Sequence, residues 1–240
     1  MMHIKEVTEH FDLDRVVPFF QPIMDVSQDT VWRFECLARL VTPCEQTFLP
    51  SEFLYLVERQ QSVERLTETI FNRSAMYFRD LNVAWNINIG MQDMLNPALL
   101  DNLAEVLTDY PNPERVSLEL TAAVVLNNID AFNQFALRCQ DLKIGIYIDH
   151  FGATPGNINS ILSLPINGIK IAGGLIAQIM ESQQSFEFVE HLTQQAQAKG
   201  ISVVAVHVED KATLDRIKDL GIRYAQGFYF SLPQPDTPTN

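Results

Sequence analysis

Short runs of β-branched and aromatic residues recur along the chain, separated by longer stretches whose apolar residues fall at three- and four-residue spacing. The short runs, Val17–Gln21, Val31–Leu37, Val83–Ile89, Val116–Leu120, Ile144–Ile148, Gly168–Ile171, Ser202–Val206 and Ile222–Ala225, predict strands. Ser51–Arg59, Val63–Arg79, Pro97–Asp109, Asn128–Leu142, Ile158–Leu164, Phe186–Lys199 and Lys211–Leu220 predict helices. Gly200 and Gly221 stand where helices stop before a strand begins.

About eight strands interleaved with helices in 240 residues point to an α/β fold closed as a TIM-like (β/α)8 barrel rather than a doubly wound sheet. The first two strands have no helical pattern between them, so one antiparallel strand is expected. The barrel is placed at residues 15–233, with an N-terminal extension over 1–14 and a linker-like tail over 234–240.

Apolar residues make up 47% of the chain, enough for a sizeable core. The net charge of −13 and the lack of a basic run exclude a DNA or RNA groove, though not one small phosphorylated ligand held by local cations. Cys36, Cys44 and Cys139 form no CxxC pair, and the charged N-terminus is unlike a signal peptide, so the cytoplasm is the expected compartment. Apolar runs such as Ile201–Val206 are strand-sized, and no membrane span is expected.

In such a barrel the reacting groups sit at the C-terminal ends of the strands. Six strands each supply a polar residue in or just after the strand: Glu35, Asn88, Glu119, Asp149, Lys170 and Gln226. Singly, an acid at a strand end reads as a helix cap. Three carboxylates, an amide and a lysine converging on one mouth read instead as a site for a hard cation, Mg²⁺, Mn²⁺ or Ca²⁺.

At these residues the chain resembles the EAL domain family, barrels that cleave the cyclic dinucleotide c-di-GMP with two divalent metals. Phe20-Gln21-Pro22-Ile23 resembles the family's QPI strand, and Glu35-Cys36-Leu37-Ala38-Arg39 its EALLR. Asn86-Ile87-Asn88-Ile89 is similar to VNLS, Glu119-Leu120-Thr121 to E(I/L)TE, and Asp149-His150-Phe151-Gly152 to DDFG. Lys170-Ile171 resembles KID, Ala205-Val206-His207-Val208-Glu209 resembles AEGVE, and Gln226-Gly227-Phe228 with Pro233 resembles the closing QG motif.

The resemblance implies one metal held by Glu35, Asn88, Glu119 and Asp149. The second metal leans on two acids whose positions carry His150 and Val206, so one divalent cation is expected and a second is not. Valine has no lone pair, and imidazole is a poor exchange for carboxylate toward Mg²⁺. Gly152-Ala153-Thr154-Pro155-Gly156-Asn157 replaces the family's GTGYSS loop, while Ala122 and Ala172 stand where the family has a bracing glutamate and an aspartate. Arg39 is implied as the phosphate-binding residue, with Gln21, Glu209, Gln226 and Pro233 along the nucleotide and Lys170 as a catalytic remnant. The implied function is a degenerate receptor or regulator that binds c-di-GMP with little or no hydrolysis. A weakly active metal-dependent phosphodiesterase and a protein-interaction adaptor, which would have a protein partner, are the alternatives, and pairing as a homodimer is compatible with the resemblance.

Overall fold

The computed structural model describes residues 7–8, 11–153 and 158–236. Eight strands close a ring: β1 Val16–Asp25, β2 Thr30–Val41, β4 Ala84–Asn88, β5 Val116–Thr121, β6 Gly145–Phe151, β7 Gly168–Ile171, β8 Ser202–Ala205 and β9 Tyr224–Ala225, with a short β3, Thr47–Phe48, appended to β2. The ring closes through β1, which runs antiparallel to both β2 and β9, while the ring pairs from β2 through β4 to β9 are parallel. This is the TIM-like barrel with one antiparallel strand expected above. The hairpin of β1 and β2 is longer than its sequence runs predict, because Val16 still pairs with Leu40 where neighbouring β4 has ended.

The predicted helices form as α1 Pro50–Arg59, α2 Val63–Phe78, α4 Pro97–Leu107, α6 Ile129–Asp141, α7 Ile158–Leu162, α9 Gln183–Ala198 and α10 Lys211–Asp219. Three further helices, α3 Met91–Leu95, α5 Ala122–Asn127 and α8 Gly173–Gln178, follow β4, β5 and β7 directly. At five or six residues each they are too short to show a period in the sequence. Their place after the strands leaves them at the C-terminal mouth.

Strand alternation sorts the side chains. Phe20 and Phe34, with Trp85 of β4, point outward and meet α2, where Phe78 lies 5.0, 5.7 and 5.9 Å from their ring centroids. Odd-numbered Arg33 and Glu35, and in other strands Asn86 and Asn88 or Ser117 and Glu119, point into the barrel and stack as two polar layers, as their cross-barrel hydrogen bonds require. Trp32 stacks on Tyr224 at 3.7 Å beside the lower layer.

The tail departs from expectation. Gln234 exchanges two backbone hydrogen bonds with Phe20, tying the closing segment to β1; residues 237–240 lie outside the described residues. The extension is tied as well, with Val7 buried and the Asp14 carbonyl accepting from Arg73. Among the described residues no helix is long and apolar enough to cross a membrane.

Candidate functional site

Glu35, Glu119, Asp149 and Lys170, from four parallel strands, converge at the mouth and are buried. Lys170 bridges two of the acids, its Nζ donating to Glu35 Oε2 at 2.7 Å and Glu119 Oε2 at 2.8 Å. Asn88 donates to Glu35 Oε1 at 2.7 Å and Gln226 to Glu35 Oε2 at 2.7 Å. Gln226 also reaches Gln21 Oε1 at 3.2 Å, and Gln21 donates to the Ser231 carbonyl at 3.1 Å. These residues therefore form one hydrogen-bonded network that crosses the barrel from β4 to β1.

Asp149 ends its strand differently. The β6–β7 register slips between Ile148 and Phe151, so His150 leaves the ladder at φ 56°. Its backbone N–H donates to Asp149 Oδ1 at 2.7 Å, and its Nδ1 lies 2.8 Å from Oδ2. A bulge beside a site commonly re-aims a side chain in this way. Here it turns an exposed imidazole onto a buried acid.

Burial works to raise the Asp149 carboxyl, but the Lys170 charge and the His150 hydrogen bonds outweigh it and hold the acid at about 2. The same contact raises the His150 imidazole above its ordinary value. Burial, then the charge of Glu35, push Glu119 up to about 7, against the pull of Lys170. Glu35 is lowered: burial opposes ionisation, and the Lys170 charge overcomes it. Burial likewise acts to lower Lys170, yet the surrounding acids raise it, so the ammonium stays charged.

Three carboxylates and an amide are the donor chemistry of a hard cation. Their arrangement is not that of an open cage. Each of the six carboxylate oxygens already faces a nitrogen: Asn88 at one Glu35 oxygen and Lys170 with Gln226 at the other; Asn86 and Lys170 at Glu119; His150 at both oxygens of Asp149. Among the described residues no group of three or more His, Cys, Asp and Glu is disposed to hold a metal. The single-cation site expected at Glu35, Asn88, Glu119 and Asp149 is thus closed by Lys170 and its neighbours in this arrangement, and the residues as placed do not fit an ion.

A cavity of about 180 Å³ opens above the network, with Gln21, Glu35, Asp149, Lys170, Val206 and Glu209 among its lining. It shares His150, Gly173, His207 and Glu209 with a wider cleft of about 790 Å³. Val206 is among the cavity's lining residues. Arg39 does not line it. On the same β2 face as Glu35 and Leu37, it sits two positions beyond Leu37, half-buried at the rim, where Nη1 donates to the Ala38 carbonyl at 2.8 Å. Pro233 is half-buried in the closing segment and is also absent from the lining. Gly227 lets that segment close: a Cβ there would fall 2.1 Å from the Val208 carbonyl oxygen. The changed loop is described only to Ala153, so 154–157 lie outside the described residues.

Three residues that sequence reading passed over belong to the site. Arg33 lies on the barrel floor, donating to Asn86 Oδ1 at 2.6 Å and Ser117 Oγ at 3.0 Å, and Asn86 donates onward to Glu119 Oε1 at 2.6 Å. The signal was a polar residue two positions before Glu35, Asn88 and Glu119, in strands that should be apolar on both faces. His207, at φ 58°, lines both clefts. Its signal was a histidine where the AEGVE string has glycine.

Comparison with known proteins agrees with this fold. The RocR cyclic di-GMP phosphodiesterase of Pseudomonas aeruginosa is 24% identical over 97% of the chain, and the PdeB cyclic di-GMP phosphodiesterase of Shewanella oneidensis is 21% identical over 95%. The chain spans only 61% and 28% of those two proteins. The FimX EAL domain of Pseudomonas aeruginosa, solved bound to c-di-GMP, superposes with a TM-score of 0.87 at 20% identity, covering 100% of this chain and 98% of that one. The EAL domain model matches residues 4–233, nearly the whole barrel, and the chain belongs to the EAL domain family.

Proposed function

We propose that this domain binds c-di-GMP at the barrel mouth as a receptor or regulator, with little or no hydrolysis. The observation that carries this reading is the closed state of the acids: every carboxylate oxygen is engaged by a nitrogen, and Val206 supplies none to replace the missing ligand. Two-metal hydrolysis uses its ions to generate hydroxide and to neutralise charge building on phosphate. Gln21 and Glu209 at the cavity, with Arg39 at the rim, supply polar groups for a nucleotide. An arginine at that height suits a phosphate, because its planar fork grips two oxygens at once. The relatives named above, which are phosphodiesterases or bind c-di-GMP, support the choice of ligand.

A weakly active phosphodiesterase is the second reading, favoured by the intact Glu35, Asn88, Glu119, Asp149 and Lys170 set. Calorimetric titration with c-di-GMP, followed by product analysis in Mg²⁺ and Mn²⁺, separates the two. Saturable binding without the linear dinucleotide is expected; product formed at the rate of an intact phosphodiesterase overturns the receptor reading. Absence of binding leaves a protein-interaction adaptor.

A further inference from the structure

The interior of this barrel carries more fixed positive charge than a mouth of three acids suggests. Arg33 is buried, 7% exposed, and has no carboxylate in direct contact. Its guanidinium lies 4.3 Å from the Trp32 ring centroid and 4.6 Å from that of Tyr147. A buried charge without compensation is strongly destabilising. The nearest compensation runs through Asn86, which accepts from Arg33 and donates to Glu119. Glu119 therefore serves two cations, Lys170 directly and Arg33 through one amide.

Acids and cations already face one another here. Glu35 and Glu119 both meet Lys170, Glu119 reaches Arg33 through Asn86, and Asp149 faces the His150 imidazole. A divalent ion entering this set would have to displace Lys170 from two oxygens and would meet its ammonium inside a low-dielectric interior, where repulsion is strong. Lys170 has nowhere to retreat, being 2% exposed with strands on both sides.

We propose that Arg33 and Lys170 take the place of a divalent cation in this barrel, so that the mouth is organised, and its ligand bound, without metal. For the identity of the ligand this rests on the receptor reading; for the cations it stands on the geometry alone. Arg33 is then a positioning residue that fixes Glu119 through Asn86.

The test is titration of the full chain with Mn²⁺, followed by electron paramagnetic resonance, with no nucleotide present. Wild type is expected to show no barrel site saturating below about 1 mM, a range typical of weak oxygen-ligand sites. Lys170→Met frees two acid oxygens and removes the repelling charge, and is expected to tighten Mn²⁺ binding about tenfold or more. Arg33→Met shifts affinity in the same direction by less, since its charge acts through Asn86. Should Lys170→Met not fold, Lys170→Gln keeps a donor, drops the charge and carries the same expectation. Tight wild-type binding that Glu119→Gln abolishes overturns the proposal, as does a folded Lys170 variant with no gain. In a second arm, c-di-GMP affinity is expected to agree within about twofold between EDTA and Mg²⁺; binding only with Mg²⁺ overturns the proposal. Absence of nucleotide binding in both buffers removes the receptor reading while the Mn²⁺ result still decides this one.

Discussion

Gly173 and His207 are sterically matched, and the match can be measured. A Cβ built on Gly173 falls 2.4 Å from His207 Nδ1, 2.5 Å from its Cγ and 2.8 Å from its Cβ. The clash is with the root of the ring, so rotating the exposed imidazole away cannot relieve all of it. Overpacking of this kind costs about 1–3 kcal/mol. Gly173→Ala recovers part through a stiffer unfolded chain, about 0.4–1 kcal/mol, leaving a net loss near about 1–2 kcal/mol. His207→Gly relieves a left-handed backbone, worth about 1–2 kcal/mol, but adds glycine entropy of about 0.5–1 kcal/mol, so the single change is close to neutral or mildly stabilising. In the double variant the clash has no partner. It should be at least as stable as His207→Gly, a coupling of about 1–3 kcal/mol. Urea unfolding followed by circular dichroism reads this as a midpoint drop of about 0.5–1 M for Gly173→Ala that disappears in the double variant. Additive single effects would refute the match and place His207 free of α8.

Arg39→Ala should weaken c-di-GMP binding by about 2–5 kcal/mol in calorimetry, with the fold unchanged; equal affinity assigns the rim arginine to structure alone. His150→Asp combined with Val206→Glu adds two acids to the mouth and should raise linear-dinucleotide formation in Mn²⁺ more than the two single changes together. A folded double variant without gain shows that those positions do not limit turnover. At the opposite end of the barrel, Asp25 accepts from Arg223 Nε at 2.8 Å and Nη2 at 2.6 Å, and this contact, against the cost of burial, lowers its carboxyl from 3.8 to about 2. A depressed acid stabilises the fold above its unfolded pKa and loses that contribution as pH falls through the folded one. Because Arg223 is half-exposed, the contribution is discounted to about 1–2 kcal/mol. Asp25→Asn should therefore flatten the stability loss between pH 4 and 2 by that amount, and an unchanged acid limb denies the bridge any role.

The barrel itself was legible in the sequence, because strand and helix periods differ and eight alternations leave few closed solutions. The mouth residues were legible as well: strand ends are local, and a polar group closing an apolar run needs no knowledge of its neighbours. Glu35, Asn88, Glu119, Asp149, Lys170 and Gln226 could thus be named, and the structure brings them together. What they do to one another was decided by distances between strands that the sequence does not order in space. Glu35 and Lys170 are 135 residues apart in the chain and 2.7 Å apart at the mouth, and that contact turns an expected cation site into a closed ion-pair network. Arg39 shows the opposite case, a residue rightly placed in its strand but carried past the cavity because β1 and β2 outgrow the barrel. Arg33, Asn86 and His207 left a signal in the sequence, but what they do needed the fold. Their chemistry lies in a buried charge relayed through an amide and a ring set against a glycine, and both arise only when side chains from different strands and loops share one small volume.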